Sequence, residues 1–107
     1  MAKAYKNAAV DLTSTSVTTL YTGPSATVAI VTSILVSEDS GNADTITVTL
    51  TNAAAAVFSL FKVKAVSANT TIELLTRPLV VEESEILKVT AATANRLHVV
   101  ASLLELS

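Results

Sequence analysis

The chain has no cysteine and no tryptophan, and it holds only two glycines, two prolines, two tyrosines and two phenylalanines. Without cysteine there is neither a disulfide framework nor a thiolate metal ligand, so a small fold must hold by packing or by association. Gly23 and Gly41 stand alone and cannot build a glycine-rich loop around a phosphate. Aromatic residues at 4% leave no platform for stacking nucleobases and little to line a sugar groove. Charge is sparse too, at 15% of residues against roughly 25% in a typical soluble domain. The seven lysines and arginines are scattered and the formal charge is −2, so nucleic acid is not an expected partner. No run approaches the roughly 18 apolar residues of a membrane-spanning helix, so a membrane is not one either. The start, residues 1–7, has lysines but no apolar stretch behind them, which predicts no secretory signal and assembly in a cytoplasm.

What remains is aliphatic. Half of the 107 residues are hydrophobic, and much of the excess is Ala, Val, Leu and Ile. That length suits one domain with a single two-layer core, spanning residues 1–107. An apolar content this high predicts that some apolar surface faces a partner.

The clearest pattern is Thr45-Ile46-Thr47-Val48-Thr49-Leu50-Thr51, where a period of two puts Ile46, Val48 and Leu50 on one face and the threonines on the other. Further strands are predicted over 4–12, with Tyr5 and Val10 as anchors, and over 17–22, closed by Gly23-Pro24-Ser25. In 27–37, Val28, Ile30, Ile34 and Val36 fall in step with Val31 and Leu35 opposite, which predicts a central strand. The polar loop Glu38 to Asp44 then predicts a hairpin with the threonine-rich strand. Asn52 to Ala56 reads as a turn or corner, and 57–66 as a strand with a bulge near Phe61. Short strands at 70–75 and 79–81 flank Thr76-Arg77-Pro78, with Pro78 at an edge or bend, and strands at 86–90 and 97–106 complete the chain. The expected fold is all-β: one antiparallel sandwich of roughly seven or eight strands, jelly-roll or immunoglobulin-like.

Chemistry-bearing residues are few. His98, the single histidine, sits among apolar neighbours with no identifiable catalytic or metal-binding partner and reads as structural. No serine lies in a Gly-x-Ser-x-Gly elbow. The loop bearing Glu38, Asp39, Asn42 and Asp44 has oxygen ligands at short spacing, but their order is not that of an EF-hand, and these are also ordinary turn residues. A turn is the preferred reading and calcium the alternative. Glu82, Glu83 and Glu85 read as a solvated turn, since a glycosidase pair would need an aromatic-lined groove. No catalytic, cofactor-binding or metal-ligating residue is predicted.

Several segments carry a resemblance. Ala4-Tyr5-Lys6, Tyr21-Thr22-Gly23-Pro24-Ser25, Ala29-Ile30-Val31 and Ser33 to Ser37 are similar to stretches of small virion structural proteins of tailed bacteriophages, of the marine and cyanobacterial type. Pro78-Leu79-Val80, Ile86 to Ala91, Asn95 to Val99 and Leu104 to Ser107 extend the likeness over nearly the whole chain. It departs at Glu83-Ser84-Glu85, where such proteins commonly place a Gly-Asp pair. The resemblance implies a non-enzymatic particle component, in capsid cement, head-to-tail joining or tail decoration. A compact sandwich with a threonine and alanine surface, suited to repeated contacts, favours cement on the exterior of the shell, bound to the major capsid protein. Low charge and high apolar content fit a neck or tail ring equally. A homo-oligomer is expected, and a trimer would match the three-fold axes of an icosahedral lattice. Residues 1–7 are expected to be a flexible N-terminal arm whose Lys3, Tyr5 and Lys6 touch the capsid. A connector, tail or baseplate component is the alternative, and a glycan-binding module the second.

Overall fold

The computed structural model describes residues 2–107. Nine strands follow one another: β1 Lys3–Asp11, β2 Thr18–Thr22, β3 Val28–Glu38, β4 Asp44–Thr51, β5 Val57–Val66, β6 Thr71–Glu73, β7 Leu79–Val81, β8 Ile86–Ala91 and β9 Leu97–Leu106. They form two antiparallel sheets. Sheet A runs β1-β9-β3-β6, with β7 also on the free flank of β3, and sheet B runs β2-β8-β4-β5. An immunoglobulin sandwich would pair its first strand with its second. Here β1 pairs with β9, and β6 and β7 act as one strand interrupted around Pro78, which is the jelly-roll order. Counted as one strand, β6 and β7 bring the total from nine to eight, within the expected seven or eight.

The core lies between the sheets and is almost wholly aliphatic. Ala29, Val31, Ile34, Val36, Val99, Ala101 and Leu103 face it from sheet A, and Ile46, Val48, Leu87 and Val89 from sheet B. The buried residues of β8 and β9, and of β4 as far as Val48, fall on the period of two that the sequence shows. At the end of β4, Thr51 is buried out of step and Leu50 is half-buried. β3 is interior to its sheet, as predicted, but its phase is not constant. Val31 pairs with Leu103 and Ser33 with Ser102, so Thr32 is an extra residue. This bulge turns Ala29 and Val31 inward before it and Ile34 and Val36 inward after it, leaving Val28 exposed. The expected alignment of Val28 and Ile30 with Ile34 and Val36 is therefore corrected.

A second correction concerns the predicted hairpin of β3 with β4. These strands lie in different sheets, and the loop between them crosses the sandwich. Among the described residues, β4 and β5 are the only consecutive strands that pair. Their connection is a compact turn held by Asn52, whose Oδ1 accepts from the N–H groups of Ala54 and Ala56 at 3.0 Å each. Around Phe61, β5 shifts register twice, and Val63 takes a φ of 52° and donates its N–H to Thr47 Oγ1 at 3.0 Å. The bulge expected near Phe61 is present in duplicate.

The N-terminal stretch is not a free arm from Lys3 onward. Lys3 to Asp11 pair residue for residue with Leu106 back to His98, and Ala2 and Ser107 exchange backbone hydrogen bonds at 2.6 and 2.9 Å. The cause is β9, which is long enough to lie opposite all of Lys3 to Asp11 and to bond the backbone groups of the alternate residues that face it. Met1 lies outside the described residues.

Candidate interaction face

Register decides what the outer face of sheet A looks like, because residues directly opposite in an antiparallel sheet share a side. Tyr5 pairs with Leu104, Leu104 with Ile30, and Ile30 with Val80. All four point away from the core, forming an apolar row across four strands. Tyr5 is 85% exposed and Val80 50%, so Tyr5 is no core anchor. One step along the strands lies a polar row with Asn7 and Ser102, and beyond it a second apolar row of Ala9, Val100 and Leu35. Leu106 and Val28, paired with each other beside Lys3, extend the first row toward the sheet end. Between Tyr5, Asn7, Ile30, Thr32, Ser102 and Leu104 the surface sinks into an open depression of about 550 Å³. The bulged Thr32 lies at its margin, its hydroxyl donating to Ser102 O at 3.2 Å.

Of the three residues expected to meet a partner, Lys3 and Tyr5 share this face, since they are two apart on one strand. Lys6 does not. It turns to the other side of β1, where its Nζ lies 2.9 Å from Glu105 Oε1. Glu105 Oε2 accepts the Tyr21 hydroxyl of the opposite sheet at 2.6 Å. The Tyr21 bond and Lys6 hold the Glu105 carboxyl below its usual range against a smaller opposing effect of burial. Burial, and then the adjoining carboxylate, push the Tyr21 phenol above its ordinary value. This trio joins the two sheets across one end of the sandwich.

The remaining polar clusters are also placed by the fold. His98 has partners that the sequence hid: Nε2 lies 3.2 Å from Asp11 Oδ1 and Nδ1 lies 3.6 Å from Asp39 Oδ2. Asp11 ends β1 and Asp39 follows β3, so only strand order brings them to β9. In the acidic loop, the Glu38 carboxylate accepts from the N–H groups of Ser40 at 2.9 Å, Gly41 at 3.1 Å and Asn69 at 3.1 Å, and from the Ser40 hydroxyl. Asp44 accepts from Thr45 N–H at 2.8 Å and Thr93 N–H at 3.1 Å. These carboxylates face amide hydrogens, the opposite of a cation-binding arrangement. Glu83 accepts from Ala26 N–H at 2.7 Å and Glu85 from Glu82 N–H at 2.9 Å, so each secures a turn.

The apolar row was not legible in the sequence, because all four of its members come from strands whose pairing and register the sequence leaves open. The signal available was the presence of Val and Leu on both faces of 27–37 and 97–106. No family model matches the chain, and no curated protein matches it.

Proposed function

We propose that the protein is a non-enzymatic structural component of a tailed-phage virion, a cement protein that lays the outer face of sheet A on the major capsid protein and stabilises the shell from outside. The observation that carries this reading is the outward apolar row Tyr5–Leu104–Ile30–Val80, set in register across four strands, exposed at its two ends and flanked by Lys3. Apolar surface of this kind, ringed by hydroxyl side chains, suits a contact repeated at many equivalent sites. The sequence resemblance supplies the nature of the partner. The fold class is compatible but not selective, since jelly rolls also serve as lectins and cupins. Self-association belongs to the same reading, with a trimer the order that lattice symmetry favours.

Quantitative mass spectrometry of purified virions tests it. A ratio to the major capsid protein near a simple lattice fraction supports cement, a handful of copies per particle moves the protein to the neck or tail, and absence removes the virion reading. The double variant Tyr5→Asp, Val80→Asp, which charges both exposed ends of the row, should bind shells about tenfold more weakly or worse, as loss of apolar anchors does. Its folding stability should stay within about 0.5 kcal/mol of the parent, because both side chains are exposed.

A further inference from the structure

We infer that the protein forms a two-fold dimer in which β1 pairs antiparallel with β1 of a second copy, centred on Asn7. This goes beyond the docking face and does not depend on it.

The sandwich has four flanks, and three are unsuited to strand addition. β2 has five residues and shifts register at Leu20. β5 shifts register twice and carries Lys62 and Lys64. The third flank is divided between β6 and β7, three residues each, around Pro78. β1 is nine residues long with no register shift. A long, unbroken edge of this kind is a template for another strand.

The backbone groups it offers follow from the pairing with β9. Ala2 and Ser107 exchange two hydrogen bonds, and Leu12 donates to Leu97 O at 3.0 Å, so the even-numbered residues face β9. By the alternation of an antiparallel ladder, Lys3, Tyr5, Asn7, Ala9 and Asp11 turn their N–H and C=O groups to the free flank. Asp11 O also accepts from Thr13 N–H at 3.0 Å and keeps its second lone pair.

The side chains of these five residues fit their own reverse. Centring on Asn7 places Lys3 opposite Asp11 of the second copy, Tyr5 opposite its Ala9, and Asn7 opposite its Asn7. Each of the first two contacts occurs twice, as an isologous interface requires. Opposite charges meet, and the large ring faces the small methyl. Among the described residues Lys3 has no ion pair within the chain. Sliding the register by two residues in either direction separates Lys3 from Asp11. Centring on either strand end sets lysine against lysine or aspartate against aspartate. Pairing also joins the two outer faces, so that the Tyr5–Leu104–Ile30–Val80 row of one copy runs into Ala9, Val100 and Leu35 of the other. A three-fold ring would need β1 to meet a different strand, whereas its charge pattern matches itself. Two-fold order therefore replaces the trimer favoured on lattice grounds.

Sedimentation equilibrium at micromolar concentration tests the dimer. The parent should show twice the chain mass of 11.1 kDa. K3E sets acid against acid and D11K sets base against base, so each alone should halve to the mass of one chain. In an equimolar mixture every altered charge meets its opposite, and the dimer mass should return. N7P removes the central outward N–H without touching a bond to β9 and should also be monomeric, with far-UV circular dichroism confirming that each variant is folded. A monomeric or trimeric parent, a dimer that survives both K3E and N7P, or a mixture of folded variants that stays monomeric would overturn the inference. The docking reading fails separately, through shell occupancy of a Val80→Asp variant, since Val80 lies on β7 at the flank away from β1.

Discussion

Glu38 shows how much one side chain can determine. It ends β3, is only 2% exposed, and gathers amide hydrogens from its own turn and from Asn69 in the loop after β5. Burial alone would raise its carboxyl, but the bonds from Ser40, Asn69 and Gly41 outweigh it and hold the value at about 2, below the ordinary 4.5. A folded value below the unfolded one contributes stability above the unfolded value and loses it as pH falls through the folded one. Glu73, whose carboxylate receives the N–H groups of Ile34 and Leu75, and Glu105 are shifted in the same direction. The urea midpoint should therefore fall as pH drops from about 4.5 toward 2. Glu38→Gln should lower stability at neutral pH and flatten that acid profile. A variant profile parallel to the parent's throughout the window would show that Glu38 is not the group responsible.

At the scale of elements, the bulges and turns do what alternation alone cannot. Thr32 reverses the facing of β3 midway, and that reversal creates an outer face on which Ile30 and Leu35 both lie. Neither the position of the bulge nor its direction is encoded in residue type, since Val31-Thr32-Ser33 would also fit an unbroken strand. Tight turn packing is similarly hidden. Gly23 donates to Glu85 O at 2.8 Å and accepts from Ser84 N–H at 3.0 Å, and a Cβ there would sit 2.1 Å from Glu82 O. The sequence marks Gly23 as a turn residue, but its steric reason comes from a loop about sixty residues later. Gly23→Ala should cost about 1–3 kcal/mol by forcing two backbones apart. Gly41→Ala should cost about 1 kcal/mol, from its φ of +83° alone, since its nearest neighbour lies 3.9 Å away. Urea denaturation of the two variants checks the order, and an equal or reversed cost would contradict the close approach at Gly23.

For the whole molecule, the decisive feature is that chain neighbours are rarely sheet neighbours. β1 closes on β9, so the two ends of the chain lie side by side, and β3 and β4 part into opposite sheets. Residues 2–7 consequently belong to the fold, not to a dispensable tail. Their removal should lower unfolding free energy by about 2 kcal/mol or more, a large part of the roughly 5–15 kcal/mol a domain possesses. It should also uncover the β9 backbone from Ser102 to Leu106. Unchanged stability of the truncated chain would mean that β1 contributes only marginally. For the same reason, loss of capsid binding on truncation would not isolate a contact, whereas the substitution Val80→Asp, on the flank away from β1, would.

Local periodicity settled the all-β class, nearly every strand boundary to within one residue, the turn at Asn52 and the interior position of β3, because a half-buried strand must alternate whatever it pairs with. Tyr5 was singled out in the sequence, but as an anchor and arm residue; its exposed place in an apolar row follows from its pairing with Leu104. The partners of His98, the jelly-roll order, the phase reversal at Thr32 and the self-matching edge of β1 were decided only by the tertiary structure. Each depends on which distant strand supplies a hydrogen-bonding partner, and residues with interchangeable aliphatic side chains carry no local mark of that choice.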